Sequence, residues 1–193
     1  LQPEKAKISV LINDGAANFS FSPEIEVGSY AINMAVGDGN GDATPDLTVI
    51  HQKTDSKIHQ YFGRGDGQFK PGTPLELPKG TEPFGLVFGD VTGEGLLDII
   101  LTDLANARLI ILEAKKGGGY DSPRTVACGK APVAVEIGDL NGDKRDDLVV
   151  SNLGDGNMTW LKAKASGGSR FPMWAAVCAI GVAALAKVCG GMF

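Results

Sequence analysis

Short apolar runs, rich in β-branched and aromatic residues and bounded by Gly, Asp or Pro, recur along the chain. Runs of this length and composition predict strands rather than helices. One full set lies between Ser29 and Pro78. Residues 31–36 predict a first strand, residues 38–46 an acidic loop and residues 47–51 a second strand. Residues 58–62 predict a third strand, residues 63–67 a hairpin turn and residues 74–77 a fourth strand ended by proline.

The set repeats. The third-strand segment 57–62 has counterparts at 7–12, 108–112 and 157–161, and each is followed by a Gly-rich turn closed by an aromatic. Those aromatics, Phe19, Phe69, Tyr120 and Phe171, are spaced 50, 51 and 51 residues apart. So constant a period indicates stacked supersecondary units, each too small to bury its own core. The units run over residues 1–28, 29–78, 79–128 and 129–165, followed by a linker at 166–170. Four short strands per unit predict an all-β fold, a small or partial β-propeller of about three and a half blades. Residues 1–28 supply only the last two strands of a unit. The expectation is that an upstream region completes it, that the terminal strands close a small ring, or that partner chains cover the open edges.

The loops carry the candidate chemistry. Residues 38–46 read D-G-N-G-D-A-T-P-D, residues 90–98 D-V-T-G-E-G-L-L-D, and residues 139–147 D-L-N-G-D-K-R-D-D. Oxygen-bearing side chains stand at positions 1, 3, 5 and 9, with Gly at position 4 to let the backbone curl. Ca²⁺ takes about six to eight oxygens, so this is the donor set of a hard cation. The side-chain ligands expected in the first loop are Asp38, Asn40, Asp42 and Asp46, with the carbonyl of Thr44. In the third they are Asp139, Asn141, Asp143 and Asp147, with the carbonyl of Arg145. The second offers Asp90, Thr92, Glu94 and Asp98 and is expected to bind weakly or to be empty. Position 12 is Val49, Leu101 or Val150, where an EF-hand requires a bidentate Glu.

The pattern V-G-D-x-N-G-D-x-x-x-D-L-x-V, then V-x-x-L-x-N-x-G-x-x-x-F, resembles the FG-GAP or VCBS repeat of integrin α-subunit propellers and of many secreted or surface proteins. The resemblance covers residues 1 to 171 and is closest at residues 137–148. It implies a propeller fold, calcium at the same loop positions and an extracytoplasmic setting.

Composition narrows the function. The net charge is -5, and the three loops hold ten of the 23 Asp and Glu residues, so no basic surface suits nucleic acid. Cys128, Cys178 and Cys189 are too few for a disulfide framework. Arg64-Gly65-Asp66 falls where the repeat needs a hairpin turn, and His51 and His59 read as strand residues. No hydrolase, zinc or phosphate-loop motif accompanies them.

From Phe171 onward the composition becomes apolar, with Lys187 the one charge. Residues 171–193 as a helix would reach about 34 Å, enough for a bilayer core. Pro172 suits a first helical turn, Trp174 an interface and Lys187 snorkelling. The expectation is a single-pass transmembrane helix, with the propeller on the extracytoplasmic or lumenal side. The other reading is a helix that caps an open propeller edge. Together these features predict a non-catalytic, calcium-stabilised, membrane-anchored interaction or scaffold module, a subunit of a larger assembly. The alternatives are a fragment of an adhesion or ligand-binding receptor, and the propeller appendage of an enzyme.

Overall fold

The structure, a computed structural model, describes residues 6–52, 56–163 and 178–181. Among these residues every regular element is a strand. Two short pairs come first: β1 (Ala6–Ile8) with β4 (Ile25–Gly28), and β2 (Leu11–Asn13) with β3 (Phe19–Phe21). The first full sheet contains β5 (Ala31–Gly37), β6 (Asp46–His51), β7 (Lys57–Gly63), β8 (Phe69–Pro71) and β9 (Leu75–Glu76). The second follows the order β10 (Pro83–Gly89), β11 (Asp98–Asp103), β12 (Arg108–Leu112), β13 (Arg124–Ala127). The third is β14 (Pro132–Gly138), β15 (Asp147–Asn152), β16 (Asn157–Leu161), β17 (Cys178–Gly181). All pairings are antiparallel between chain neighbours, apart from the outer-strand pairings β1–β4 and β7–β9.

The sheets stack in chain order, and the core lies between them as three apolar layers. Ile8, Ile25 and Val27 meet Leu47, Val49 and Tyr61 in the first layer. In the second, Ile50 and Ile58 meet Phe88, Ile99, Leu101 and Ile110. In the third, Ile100, Leu109 and Ile111 meet Val135, Leu148, Val150 and Leu161. A strand covered on both faces has no solvent side. All six residues of β6 and all six of β11 are accordingly buried, the polar Asp46, Thr48, His51, Asp98, Thr102 and Asp103 among them.

Two expectations need correction. The single fourth strand expected at 74–77 is instead the pair β8 and β9, both hydrogen-bonded to β7. Pro74, between them, has no N–H for the ladder, and the Gly72 N–H turns to the Gln60 carbonyl at 2.8 Å.

The second correction concerns the tail. The transmembrane helix expected over 171–193 lies mostly outside the described residues, and the four that are described form β17, not helix. They pair with β16 in the register Trp160 to Cys178, Thr159 to Ala179, Met158 to Ile180 and Asn157 to Gly181. The reason is the free edge of β16. Its unpaired N–H and C=O groups need a partner, and β17 fills the place that β8, β9 and β13 hold in the other sheets. Among the described residues no helix is long and apolar enough to cross a membrane.

Candidate metal centre

Each acidic loop joins the first strand of a sheet to the second, and the three share one internal bonding scheme. The carboxylate at position 1 accepts backbone N–H groups from positions 4, 5 and 6. For Asp38 the donors are Gly41, Asp42 and Ala43 at 2.8 to 3.0 Å. For Asp90 they are Gly93, Glu94 and Gly95 at 2.7 to 3.0 Å. For Asp139 they are Gly142, Asp143 and Lys144 at 2.7 to 3.1 Å. This curl needs left-handed backbone at position 4, where Gly41, Gly93 and Gly142 have φ of 79°, 74° and 77°. The N–H bonds to Asp139, that of Lys144 first, hold its carboxyl below the usual carboxylate range.

The carboxylate at position 9 does a different job. Asp46, Asp98 and Asp147 open the second strands and are 0%, 0% and 1% exposed. Each accepts the N–H of the residue that ends or follows the third strand: Gly63 at 2.9 Å, Ala114 at 2.8 Å and Ala163 at 2.7 Å. The clasp ties the acidic loop to the sheet. Sequence reasoning missed it, although a small residue 16 or 17 places after each of these aspartates was a readable signal.

The second oxygen of each clasp separates the loops. Asp98 spends its own on the Val91 N–H at 3.0 Å, and Asp147 on the Asn141 amide at 2.8 Å and the Trp160 indole N–H at 3.2 Å. Asp46 Oδ2 is buried with no hydrogen-bond partner. Burial pushes Asp46 above the ordinary carboxylate range and the neighbouring charges of Asp42 and Asp38 add to the rise, against the N–H groups of Gly63 and Gly39, which pull it down. Asn40 donates to Asp42 Oδ2 at 2.9 Å, and this bond, with the Thr44 N–H, holds Asp42 low. In the third loop, Arg145 is bound to Asp143 at 2.7 Å, so a guanidinium already balances that carboxylate.

Among the described residues no three Asp, Glu, His or Cys side chains converge as a metal cage. The structure brings Asp38, Asn40, Asp42 and Asp46 into one loop with an unsatisfied oxygen. It commits Asp90, Thr92, Glu94 and Asp98 to internal bonds or to the surface, Thr92 bonding Asp90 at 3.3 Å. Of the three position-9 carboxylates, that of the first loop alone keeps a buried oxygen without a hydrogen-bond partner. The outer side of this loop opens on a cleft of about 300 Å³, lined by Asp38, Asn40, Leu97, Ala114 and Lys115.

Burial pushes Asp98 up to about 6, against two backbone N–H bonds that pull it down. Since the folded value exceeds the unfolded one, this group favours folding below about pH 4 and loses that contribution as pH rises to about 6. Urea unfolding midpoints of Asp98→Asn should lose the part of the fall with rising pH that Asp98 contributes in this window, and so fall less than those of the unsubstituted chain. Equal slopes would contradict the assignment.

Other sequence candidates find structural places. Arg64, Gly65 and Asp66 sit in the turn closed by the Arg64 N–H to Gln68 carbonyl bond at 3.0 Å. His51 contacts the Val27 carbonyl at 2.7 Å and meets His59 edge-on at 4.8 Å. The turn-closing aromatics reach back one sheet, Phe69 into the first apolar layer and Tyr120 to the carbonyl of Gly39 at 3.1 Å. Cys128 packs against the third layer, where burial raises its thiol to about 11.

With this geometry in view, the likenesses to known proteins fall into place. Residues 38–101 match the family described as FG-GAP-like repeat. That stretch begins at the first acidic loop and ends within β11. In fold, the chain is similar to a luciferin-regenerating enzyme, with a TM-score of 0.51 at 14% identity, covering 86% of this chain and 47% of that one. It is also similar to BBS1N in its complex with ARL6DN, with a TM-score of 0.51 at 18% identity, covering 82% of this chain and 47% of that one. The chain thus spans about half the length of each of these two structures. At these identities the likeness shows an all-β, propeller-like fold. No curated protein matches the sequence.

Proposed function

We propose that this chain is a non-catalytic interaction module, a propeller-like stack of sheets stapled by calcium, in which apolar faces engage other protein chains. The observation that carries the calcium part is Asp46 Oδ2, a buried carboxylate oxygen without a partner beside Asp38 and Asp42. A cation there would satisfy that oxygen and offset three clustered charges, and Asp38, Asn40, Asp42 and Asp46 would hold it with the Thr44 carbonyl. The third loop, through Asp139, Asn141, Asp143, Asp147 and the Arg145 carbonyl, is a weaker second site. The ion is structural in this reading. The position-9 carboxylates that would border it are already built into the frame as clasps.

Support for an interaction role comes from the exposed apolar side chains Phe19, Phe21, Met34 and Val36. Pairing of β17 with β16 favours an edge-covering role for the apolar tail over a helix that runs unbroken through 171–193. An extracytoplasmic or lumenal setting, where calcium is abundant, suits such a module.

The test is a thermal melt with calcium against one with EDTA. Binding at a hundredfold excess over Kd stabilises by about 2.7 kcal/mol, so the midpoint should rise by roughly 5–10 °C. Asp46→Asn should lose most of that rise, and Asp98→Asn little of it. Identical melts in calcium and EDTA would remove the metal from the proposal.

A further inference from the structure

Tyr120 enters the first acidic loop from the neighbouring sheet. It is 9% exposed, its backbone is fixed by a bridge to Ala114, and its hydroxyl donates to the Gly39 carbonyl at 3.1 Å. Gly39 lies between Asp38 and Asn40, two of the side chains that would hold the cation. The bond therefore fixes the peptide that joins them. The turn that follows β12 closes on the same segment, where a Cβ at Gly118 would lie 3.9 Å from the Asn40 carbonyl oxygen.

Gly39 is shaped to receive the hydroxyl. A Cβ there would stand 2.9 Å from Tyr120 Oη and 3.5 Å from Gln60 Nε2 and from Phe88 Cζ. The matching positions of the other two loops are Val91 and Leu140, and Val91 packs its side chain in the third apolar layer. Of the four aromatics that close the repeated turns, Phe19, Phe69, Tyr120 and Phe171, Tyr120 alone carries a hydroxyl. Phe69 reaches back into the first layer by packing. The hydroxyl thus stands at the loop whose position-9 carboxylate, Asp46, keeps a buried oxygen without a partner.

The support for Tyr120 runs into the second loop. Ala114, its bridge partner, donates its N–H to one oxygen of Asp98 at 2.8 Å, and the Val91 N–H takes the other at 3.0 Å. Both oxygens of Asp98 are committed to the frame that holds Tyr120 in place.

We propose that Tyr120 is a positioning residue for the cation of the first loop, acting through the Gly39 carbonyl, so that a side chain of one sheet sets the calcium affinity of the sheet before it. The inference rests on the calcium reading of Asp38, Asn40, Asp42 and Asp46 and adds the group that presets their loop. Glycine has the widest backbone freedom of any residue, so without the bond the ion itself would have to order Gly39. A loop already held in its binding shape escapes that cost.

The experiment titrates calcium into the unsubstituted full chain, Tyr120→Phe, Gly39→Ala and the double variant, all well below their melting midpoints. The phase missing from Asp46→Asn identifies the first loop. Tyr120→Phe should weaken that phase about fivefold, the equilibrium effect of one ordinary hydrogen bond. Gly39→Ala, whose Cβ displaces the hydroxyl, should weaken it at least as much, and adding Tyr120→Phe to it should cause little further loss. Ile110→Val, a loss of packing in the middle of β12 within the same apolar layer, should lower the melting midpoint and leave the affinity within about twofold. An unchanged affinity in Tyr120→Phe would overturn the proposal and leave the calcium reading standing. Equal weakening in Ile110→Val would overturn it too, because general loosening of the layer would then explain the effect. Multiplying losses in the double variant would place the effect of Gly39→Ala in the loop backbone and sink the contact as its cause. Absence of a first-loop phase in the unsubstituted chain would remove the calcium reading and this inference together.

Discussion

Gly63→Ala is expected to destabilise the chain by about 2–3 kcal/mol, which lowers the melting midpoint by roughly 5–10 °C. A Cβ at this position would overlap the carbonyl oxygen of Pro45 and stand 3.0 Å from Thr44 Cγ2. The obstacle is backbone, so no rotamer change relieves it. The two equivalent positions are already alanine: Ala114 and Ala163 donate to Asp98 and Asp147 as Gly63 donates to Asp46. What differs is the residue before the buried aspartate, Pro45 in the first sheet against Leu97 and Asp146 in the others. The Pro45 carbonyl lies where a Cβ on residue 63 would go, and the fixed φ of the proline limits how far the local backbone can give way. Because the displaced N–H is the clasp on Asp46, the substitution should also weaken the calcium shift. Ala114→Gly and Ala163→Gly serve as controls and should each cost about 1 kcal/mol or less. A Gly63→Ala chain with an unchanged urea midpoint would show that the clasp is looser than its geometry requires.

The strands and the acidic loops were legible because both are local. A short β-branched run between Gly, Asp and Pro has few other conformations open to it, and D-x-N-G-D curls wherever it stands. The division of labour inside the loops was not legible. Positions 1, 3, 5 and 9 look alike in sequence because each carries an oxygen, yet Asp46, Asp98 and Asp147 are buried only because a strand returning 16 or 17 residues later sets an N–H against them. The apolar tail shows the same limit from the other side. Its composition suits a helix, and an unpaired edge on β16, remote in sequence, draws Cys178–Gly181 into a strand.

Asp103→Ala should cost about 3–5 kcal/mol, the range expected when one partner of a buried ion pair is removed. Asp103 is fully buried at the end of β11 and accepts the Arg108 Nε–H at 2.8 Å, the Asn106 amide at 2.9 Å and the Glu82 N–H at 3.0 Å. Truncation leaves an arginine and a backbone N–H without their acceptor beneath the turn that joins β11 to β12. Arg108 retains 26% side-chain exposure, so water recovers part of the loss and the lower end of the range is expected. The other two sheets put His51 and Asn152 at the corresponding place. His51 is bound to the Val27 carbonyl, and Asn152 donates to Asn157 and Thr159 at 2.9 and 2.8 Å. A polar staple is therefore kept at the end of every second strand, while its chemistry changes from sheet to sheet. The double variant Asp103→Ala with Arg108→Ala isolates the pair. If the ion pair carries the effect, the double variant should be less unstable than the two single losses added together. Strict additivity would assign the cost to the Glu82 and Asn106 bonds instead, and the staple would then work without its charge.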